Sequence, residues 1–214
     1  MVQTTQYLRV RFSKQGDVRF ISHRDLLRLF ERALRRARLP VMMSQGYNPR
    51  PRISLPAPLS VGFTGGNEVF DFELEEWVRP EEIRRRLAAQ LPAGVVLKSL
   101  QTVPARPDRR ARRLVYQIAL LAGHPLTQES LAQLLATKEI LVHRRKNGDT
   151  KTVNIAPFLR DARLDSDTLL LVLEATDAGT ARPEEVLGAL GLMPGTHYLK
   201  GAIERTHVSL SSSL

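Results

Sequence analysis

The sequence predicts a mixed α+β chain made of two tandem halves, each ordered strand–helix–strand–strand–helix–strand. Three observations carry this prediction. Segments of alternating polarity, such as residues 7–12 and 69–74, are interleaved with segments of helical period, such as residues 22–37. A Pro- and Arg-rich stretch over residues 104–113 breaks the pattern near the middle of the 214 residues. Arg-Pro-Glu-Glu stands at 79 and again at 182, and Leu97-Lys98 is answered by Leu199-Lys200 at nearly the same offset, as in an internal repeat.

In the first half, Tyr7-Leu8-Arg9-Val10-Arg11-Phe12 alternates as a half-buried strand, with Leu8, Val10 and Phe12 expected toward the core and Arg9 and Arg11 outward. Ser22-His23-Arg24-Asp25 has the form of a capping box and opens a helix. In that helix Leu26, Leu27, Phe30, Ala33, Leu34 and Ala37 form one apolar stripe, and Leu39-Pro40 is expected to end it. Val41-Met42-Met43 reads as a short strand. Gly46-Tyr47-Asn48-Pro49-Arg50-Pro51 reads as a loop, since its two prolines fix φ and remove donors. Residues 53–61 read as an extended segment weakened by Pro56 and Pro58, and residues 69–74 alternate as a strand. Arg79-Pro80-Glu81-Glu82 opens a second helix, with proline early and carboxylates at the positive end of the dipole. A strand over 95–103 closes the half.

The second half repeats the order. It comprises a strand over 114–121, a helix over 126–137 and a hairpin of 140–146 with 151–155 turning through Asn147-Gly148. A strand over 168–174, a helix opened by Arg182-Pro183-Glu184-Glu185 and a last strand within 197–210 follow. This order is the split βαβ of ferredoxin-like domains, so the expected organisation is two tandem ferredoxin-like (βαββαβ) halves, 1–104 and 114–214, joined by a linker over 105–113.

Composition narrows the function. With 43% hydrophobic and 25% charged residues the chain can build a core, and no apolar run approaches the roughly 18 residues of a membrane span. The opening Met1-Val2-Gln3-Thr4-Thr5-Gln6 lacks a signal-peptide pattern, so a cytoplasmic protein is expected, with no membrane partner. There is no cysteine, which excludes disulfides, thiolate-held clusters and thiol nucleophiles. The net charge is +10 and uneven: residues 1–52 carry 12 basic and 3 acidic side chains, residues 108–214 carry 14 and 12. The excess is mostly arginine, whose planar fork suits phosphate, and this points to a nucleic-acid partner. An acidic protein partner, or simple solubility, is the other reading of the same charge.

The segments Phe12-Ser13-Lys14-Gln15-Gly16-Asp17, Phe20-Ile21-Ser22-His23-Arg24-Asp25-Leu26, Arg32-Ala33-Leu34-Arg35-Arg36-Ala37, the Gly46–Pro51 loop and Pro58-Leu59-Ser60-Val61-Gly62 resemble a family of radical-SAM-linked bacterial proteins, domain of unknown function 2344. Arg144, Lys146, Asn154-Ile155 and Arg182-Pro183-Glu184-Glu185 extend the resemblance more loosely. The resemblance implies an accessory role beside a radical SAM protein, and the lack of cysteine excludes the chain itself as that enzyme. The family loop usually has Phe at the place of Tyr47 and His at the place of Arg50. The architecture is also similar to the tandem ferredoxin-like RNA-binding superfamily of CRISPR repeat-processing proteins.

The candidate nucleic-acid-binding residues are Arg24, Arg28, Arg32, Arg35 and Arg36 on the first helix, Arg9 and Arg11 on the first strand, and Tyr47, Asn48, Arg50 and Arg52 in and after the loop. Tyr47 either stacks on a base or plugs the core. His23 and Tyr47 are the only plausible pair in the basic half for acid–base chemistry on a ribose 2′-hydroxyl. Asp71, Glu73 and Glu75 share one strand face and read as a solvated face, with a Mg²⁺ site as the sharper option. The spacing of His143, His197 and His207 gives no zinc motif, and no cofactor is expected. The expected function is a non-enzymatic RNA-binding accessory protein that presents RNA to a radical SAM partner. The alternatives are a metal-independent ribonuclease using His23 or Tyr47, and a protein-interaction adaptor without nucleic acid.

Overall fold

Strand β1 (Gln6–Lys14) is the axis of the N-terminal unit in the computed structural model, which describes residues 5–104, 109–146 and 148–211. The chain divides into two units, residues 1–110 with 210–214 and residues 111–209. In the first, β1 lies antiparallel between β3 (Thr64–Leu74) and β4 (Val95–Val103), and the short β2 (Ile53–Ser54) pairs with the other edge of β3. The strand order is β4-β1-β3-β2.

Helices α1 (His23–Arg36) and α2 (Pro80–Ala88) contribute to one core with this sheet. Leu8, Val10 and Phe12 of β1 and Phe70, Phe72 and Leu74 of β3 are buried with Leu26, Phe30 and Leu34 of α1 and Ile83 and Leu87 of α2. Phe30 stacks on Phe70 at 4.0 Å between ring centroids and meets Phe12 edge-on at 4.9 Å. Truncating a ring so placed removes about 3–5 kcal/mol through lost burial and the cavity left behind.

Local chemistry sets the ends of α1. The Ser22 hydroxyl oxygen accepts the Asp25 backbone N–H at 3.2 Å. The Ser22 hydroxyl in turn donates to the Asp25 carboxylate at 2.7 Å, whereas in a standard capping box that side chain accepts from the backbone N–H of the capping residue. The helix stops before Leu39-Pro40. Arg38 takes a left-handed φ of 50°, its N–H donates to the Arg35 carbonyl, and the Leu39 N–H reaches back to the Leu34 carbonyl. This is the Schellman pattern, with arginine where glycine is usual. Arg86 of α2 supports it by donating Nε to the Ala37 carbonyl at 2.8 Å and Nη2 to the Arg38 carbonyl.

In the second unit β5 (Ala111–Leu120) has β9 (Thr168–Thr176) on one side and β11 (Tyr198–Leu210) on the other. Strand β8 (Leu159–Asp165) and the short β10 (Gly179–Thr180) pair with the far edge of β9. Cross-strand pairs Leu114–Leu173, Tyr116–Leu171 and Ile118–Leu169 put one apolar face of β5 and β9 into the interior. Helices α3 (Gln128–Ala136) and α4 (Pro183–Ala189) bury Leu131, Leu134, Val186 and Leu187. Strands β6 (Leu141–Lys146) and β7 (Asp149–Asn154) form a separate two-stranded ribbon. Asn147 of its expected Asn-Gly turn lies outside the described residues.

The chain is thus mixed α+β with mostly antiparallel sheets, and both Arg-Pro-Glu-Glu segments begin helices, α2 after the long β3 and α4 after the short β10. Four expectations need correction. β5 begins at Ala111, so Ala111-Arg112-Arg113 belongs to a strand; of the remaining linker, residues 105–108 lie outside the described residues. Only Ile53 and Ser54 of the 53–61 segment pair as a strand, because Pro56 and Pro58 cannot donate to a ladder. β8 is an unforeseen strand: its arginines and aspartates hide the alternation that Ala162 and Leu164 carry. Arg9 does not face outward: it is buried. No helix among the described residues is long and apolar enough to cross a membrane.

Candidate nucleic-acid interface

Because Leu26, Phe30, Ala33 and Leu34 turn α1 toward the core, the positions between them must face outward. Arg24, Arg28, Arg32, Arg35 and Arg36 are all exposed. Arg24, Arg28, Arg32 and Arg36 are spaced by four, so they stand on one inclined ridge about a turn apart. Arg28 meets Asp25 at 3.5 Å, but both side chains are more than half exposed, and such a pair is worth little. Arg32, Arg35 and Arg36 have no carboxylate partner among the described residues. The Asp25 carboxyl is held below its usual range, first by the Ser22 hydroxyl and then by Arg28 and Arg24. His23 is the first helical residue and is half-buried.

The loop after α1 is a hairpin. Val41 bridges to Leu74 of β3 and Met43 to Pro51, and the Arg52 N–H donates to the Met42 carbonyl at 2.8 Å. A clamp closes its end: the Ser44 N–H donates to the Arg50 carbonyl at 2.7 Å, and the Arg50 N–H to the Ser44 hydroxyl at 2.9 Å. Between them Tyr47 is fully exposed, at 103%, with no ring contact or hydrogen bond among the described residues. The core-plug reading of Tyr47 is therefore wrong. Asn48 and Arg50 are exposed beside it. The hairpin shares a cavity with Glu31, Leu34 and Arg35, two or more turns along α1 from His23, and no hydrogen bond joins Tyr47 to His23 among the described residues.

Arg9 and Arg52 have another role. Arg9 donates Nε to Asp71 Oδ1 and Nη2 to Asp71 Oδ2, both at 2.9 Å, across the β1–β3 ladder. Arg52 Nη1 reaches Glu73 at 3.3 Å, and Arg109 Nη2 reaches the other Glu73 oxygen at 2.7 Å. The expected solvated carboxylate face is thus a buried ion network at Asp71 and Glu73, and only Glu75 is exposed. Low accessibility takes Arg9 away from phosphate. Arg11 is half-buried with Nη1 on the Asn67 carbonyl, and burial together with Arg9 lowers its pKa.

Two features escaped the sequence reading. Phe20 is 56% exposed just before α1, with the Arg19 guanidinium 4.7 Å from its ring centroid. Arg109 looked like linker, and no local pattern marks it as the partner of Glu73. In the second unit Arg144 forms a two-bonded pair with Glu185, each bond 2.7 Å, and also donates to the Thr180 carbonyl. Its pKa is raised by that carboxylate. Of the histidines expected to be scattered, His143 meets Thr152, and His197 Nδ1 accepts the Met193 N–H.

These features define a mixed α+β protein whose first unit presents an arginine ridge and an aromatic-tipped hairpin. Over residues 7–183 the sequence matches the model of a family described as uncharacterised proteins conserved in bacteria (DUF2344), and the chain belongs to that family. No curated protein matches it.

Proposed function

We propose that the protein binds RNA without cleaving it and acts as an accessory that presents the RNA to a radical SAM partner. The observation that carries the RNA reading is the exposed ridge of α1, where Arg32, Arg35 and Arg36 have no carboxylate partner among the described residues. Phosphates neutralise such a row and release counterions. Tyr47, held out on its clamp, adds a flat ring of the kind on which unpaired bases stack. The radical SAM partner rests on the family resemblance alone. Tandem ferredoxin-like halves are part of the same reading. The orders β4-β1-β3-β2 and β11-β5-β9-β8 support them, since each runs fourth, first, third, second in its unit once the β6–β7 ribbon is set aside as an insertion and the two-residue β10 as an addition to the edge of β9.

The test is a salt titration of fluorescein-labelled single-stranded RNA with the full chain. Affinity should fall steeply with salt, by about 0.7 log units per log unit of salt for each phosphate contacted. Arg28→Glu with Arg32→Glu should weaken binding strongly and flatten the slope. Equal binding by both forms would remove the helix as the footprint. Recovery of a radical SAM protein with the tagged chain from its native cells tests the partner, and its absence would overturn that half of the proposal.

A further inference from the structure

We propose that the cavity between the second half of α1 and the hairpin of residues 41–52 takes one unstacked guanine base, read by the Glu31 carboxylate. The inference rests on the RNA-binding reading above and names the base that this surface selects.

The cavity measures about 270 Å³. That lies just under the roughly 300 Å³ at which small-molecule pockets begin, so it suits a base and not a whole nucleotide. Leu34 and Leu39, both buried, line it from the helix side, and Val41, Met43, Pro49 and Pro51 line it from the hairpin. These apolar walls suit the faces of a flat ring, and the two prolines offer no N–H that would compete for a ring acceptor.

Only two of the lining side chains are charged, Glu31 and Arg35, one turn apart on α1. Glu31 is half-buried and has no hydrogen-bond or ion-pair partner among the described residues. A carboxylate withdrawn from water without a donor is costly, and a ligand that donates relieves the cost. The four bases differ in what they offer it. Guanine presents N1–H and the N2 amine side by side, one hydrogen for each carboxylate oxygen. Adenine and cytosine set a single amine beside a ring-nitrogen acceptor. Uracil flanks its one N–H with carbonyls. Each of those three would force an acceptor against a carboxylate oxygen, so Glu31 favours guanine by attraction and by repulsion of the others. Arg35 lines the same cavity, is exposed, and stands beside the ridge that would hold the phosphates. Tyr47, at the tip of the same hairpin, is placed to stack on a neighbouring base.

The probes are the pentamers UUGUU, UUAUU and UUIUU, where I is inosine, labelled with fluorescein and titrated against the full chain. UUGUU should bind about tenfold tighter than UUAUU, as expected for one two-bonded base contact. Inosine keeps N1–H but lacks the N2 amine, so UUIUU should fall between them. Glu31→Gln, which keeps the shape, should erase the preference for guanine. With methyl-labelled methionine, the Met43 resonance should shift on adding UUGUU and stay in place with UUAUU. Equal affinity for UUGUU and UUAUU, a preference that survives Glu31→Gln, or an unmoved Met43 methyl would each overturn the pocket. Salt-dependent binding without base preference sinks the pocket alone, whereas no binding of any pentamer at low salt sinks the RNA reading with it.

Discussion

Arg9 and Asp71 face each other across β1 and β3 and share two parallel hydrogen bonds of 2.9 Å, with 8% and 1% of their surfaces accessible. Removing one partner leaves an uncompensated buried charge. Asp71→Asn should therefore destabilise the protein by about 3–5 kcal/mol in urea unfolding. Arg9→Met combined with Asp71→Leu should recover most of that loss, because it removes the charge together with its counterion. A double variant as unstable as the single one would show that the pair shapes the fold in some way beyond charge balance.

Tyr47→Ala should leave the thermal midpoint unchanged, since the ring touches nothing described. It should weaken binding of single-stranded RNA by about 1–3 kcal/mol, the usual worth of a stacked base. Tyr47→Phe should bind as the parent does, because the ring and not the hydroxyl makes the stack. A loss with Tyr47→Phe would point to a hydrogen bond from the hydroxyl.

Purified protein in EDTA should leave bound RNA intact. Cleavage through the 2′-hydroxyl needs a base within about 3 Å and a donor near the leaving oxygen. Tyr47 makes no hydrogen bond to His23 among the described residues, and an arginine side chain offers no acceptor to take up the proton. Cyclic-phosphate products that disappear in His23→Ala would establish a ribonuclease instead.

Ser22→Ala should cost about 1 kcal/mol through the lost cap on Asp25. Part of the loss depends on pH. The Ser22 hydroxyl depresses the folded-state pKa of Asp25, so this contribution is present above the ordinary carboxylate range and fades as pH falls through the depressed value. The gap between the two proteins in urea midpoint should narrow below about pH 4. A gap constant from pH 7 to pH 2 would mean that the hydroxyl–carboxylate bond contributes nothing.

The sequence was most legible where one face is apolar and the other polar. Leu8, Val10 and Phe12, or Leu26, Phe30 and Leu34, announce both the element and its buried side. It was least legible at Arg9, Asp71 and Glu73. A strand whose polar face is also withdrawn from water alternates in the same way as one whose polar face is wet, and only the cross-strand partner tells them apart. Tyr47 is the opposite case. Aromatic residues are usually sheltered, and Tyr47 stands out at the end of a hairpin closed by the Ser44–Arg50 clamp, one backbone bond and one bond to the Ser44 hydroxyl, which no periodic residue pattern announces. The guanine pocket was illegible for a further reason. Its walls come from one helix and from the hairpin that follows it, between Val41 and Pro51, and Glu31 in isolation is one more carboxylate on a charged helix.

The ion network also changes the electrical picture that composition paints. Twelve cations among residues 1–52 suggest a broad field, yet Arg9 is cancelled by Asp71, Arg52 sits on Glu73, and Lys14 is buried with its ammonium on the Arg19 and Ile21 carbonyls. What this segment leaves exposed is narrower, the arginines of α1 with Arg38 just past its end and Arg50 on the hairpin. At physiological ionic strength, where fields decay over about 8 Å, capture is a short-range event governed by those arginines. Counting basic residues overstates the reach of the attraction, and association rates should follow the charge of one helix more closely than the net charge of the chain.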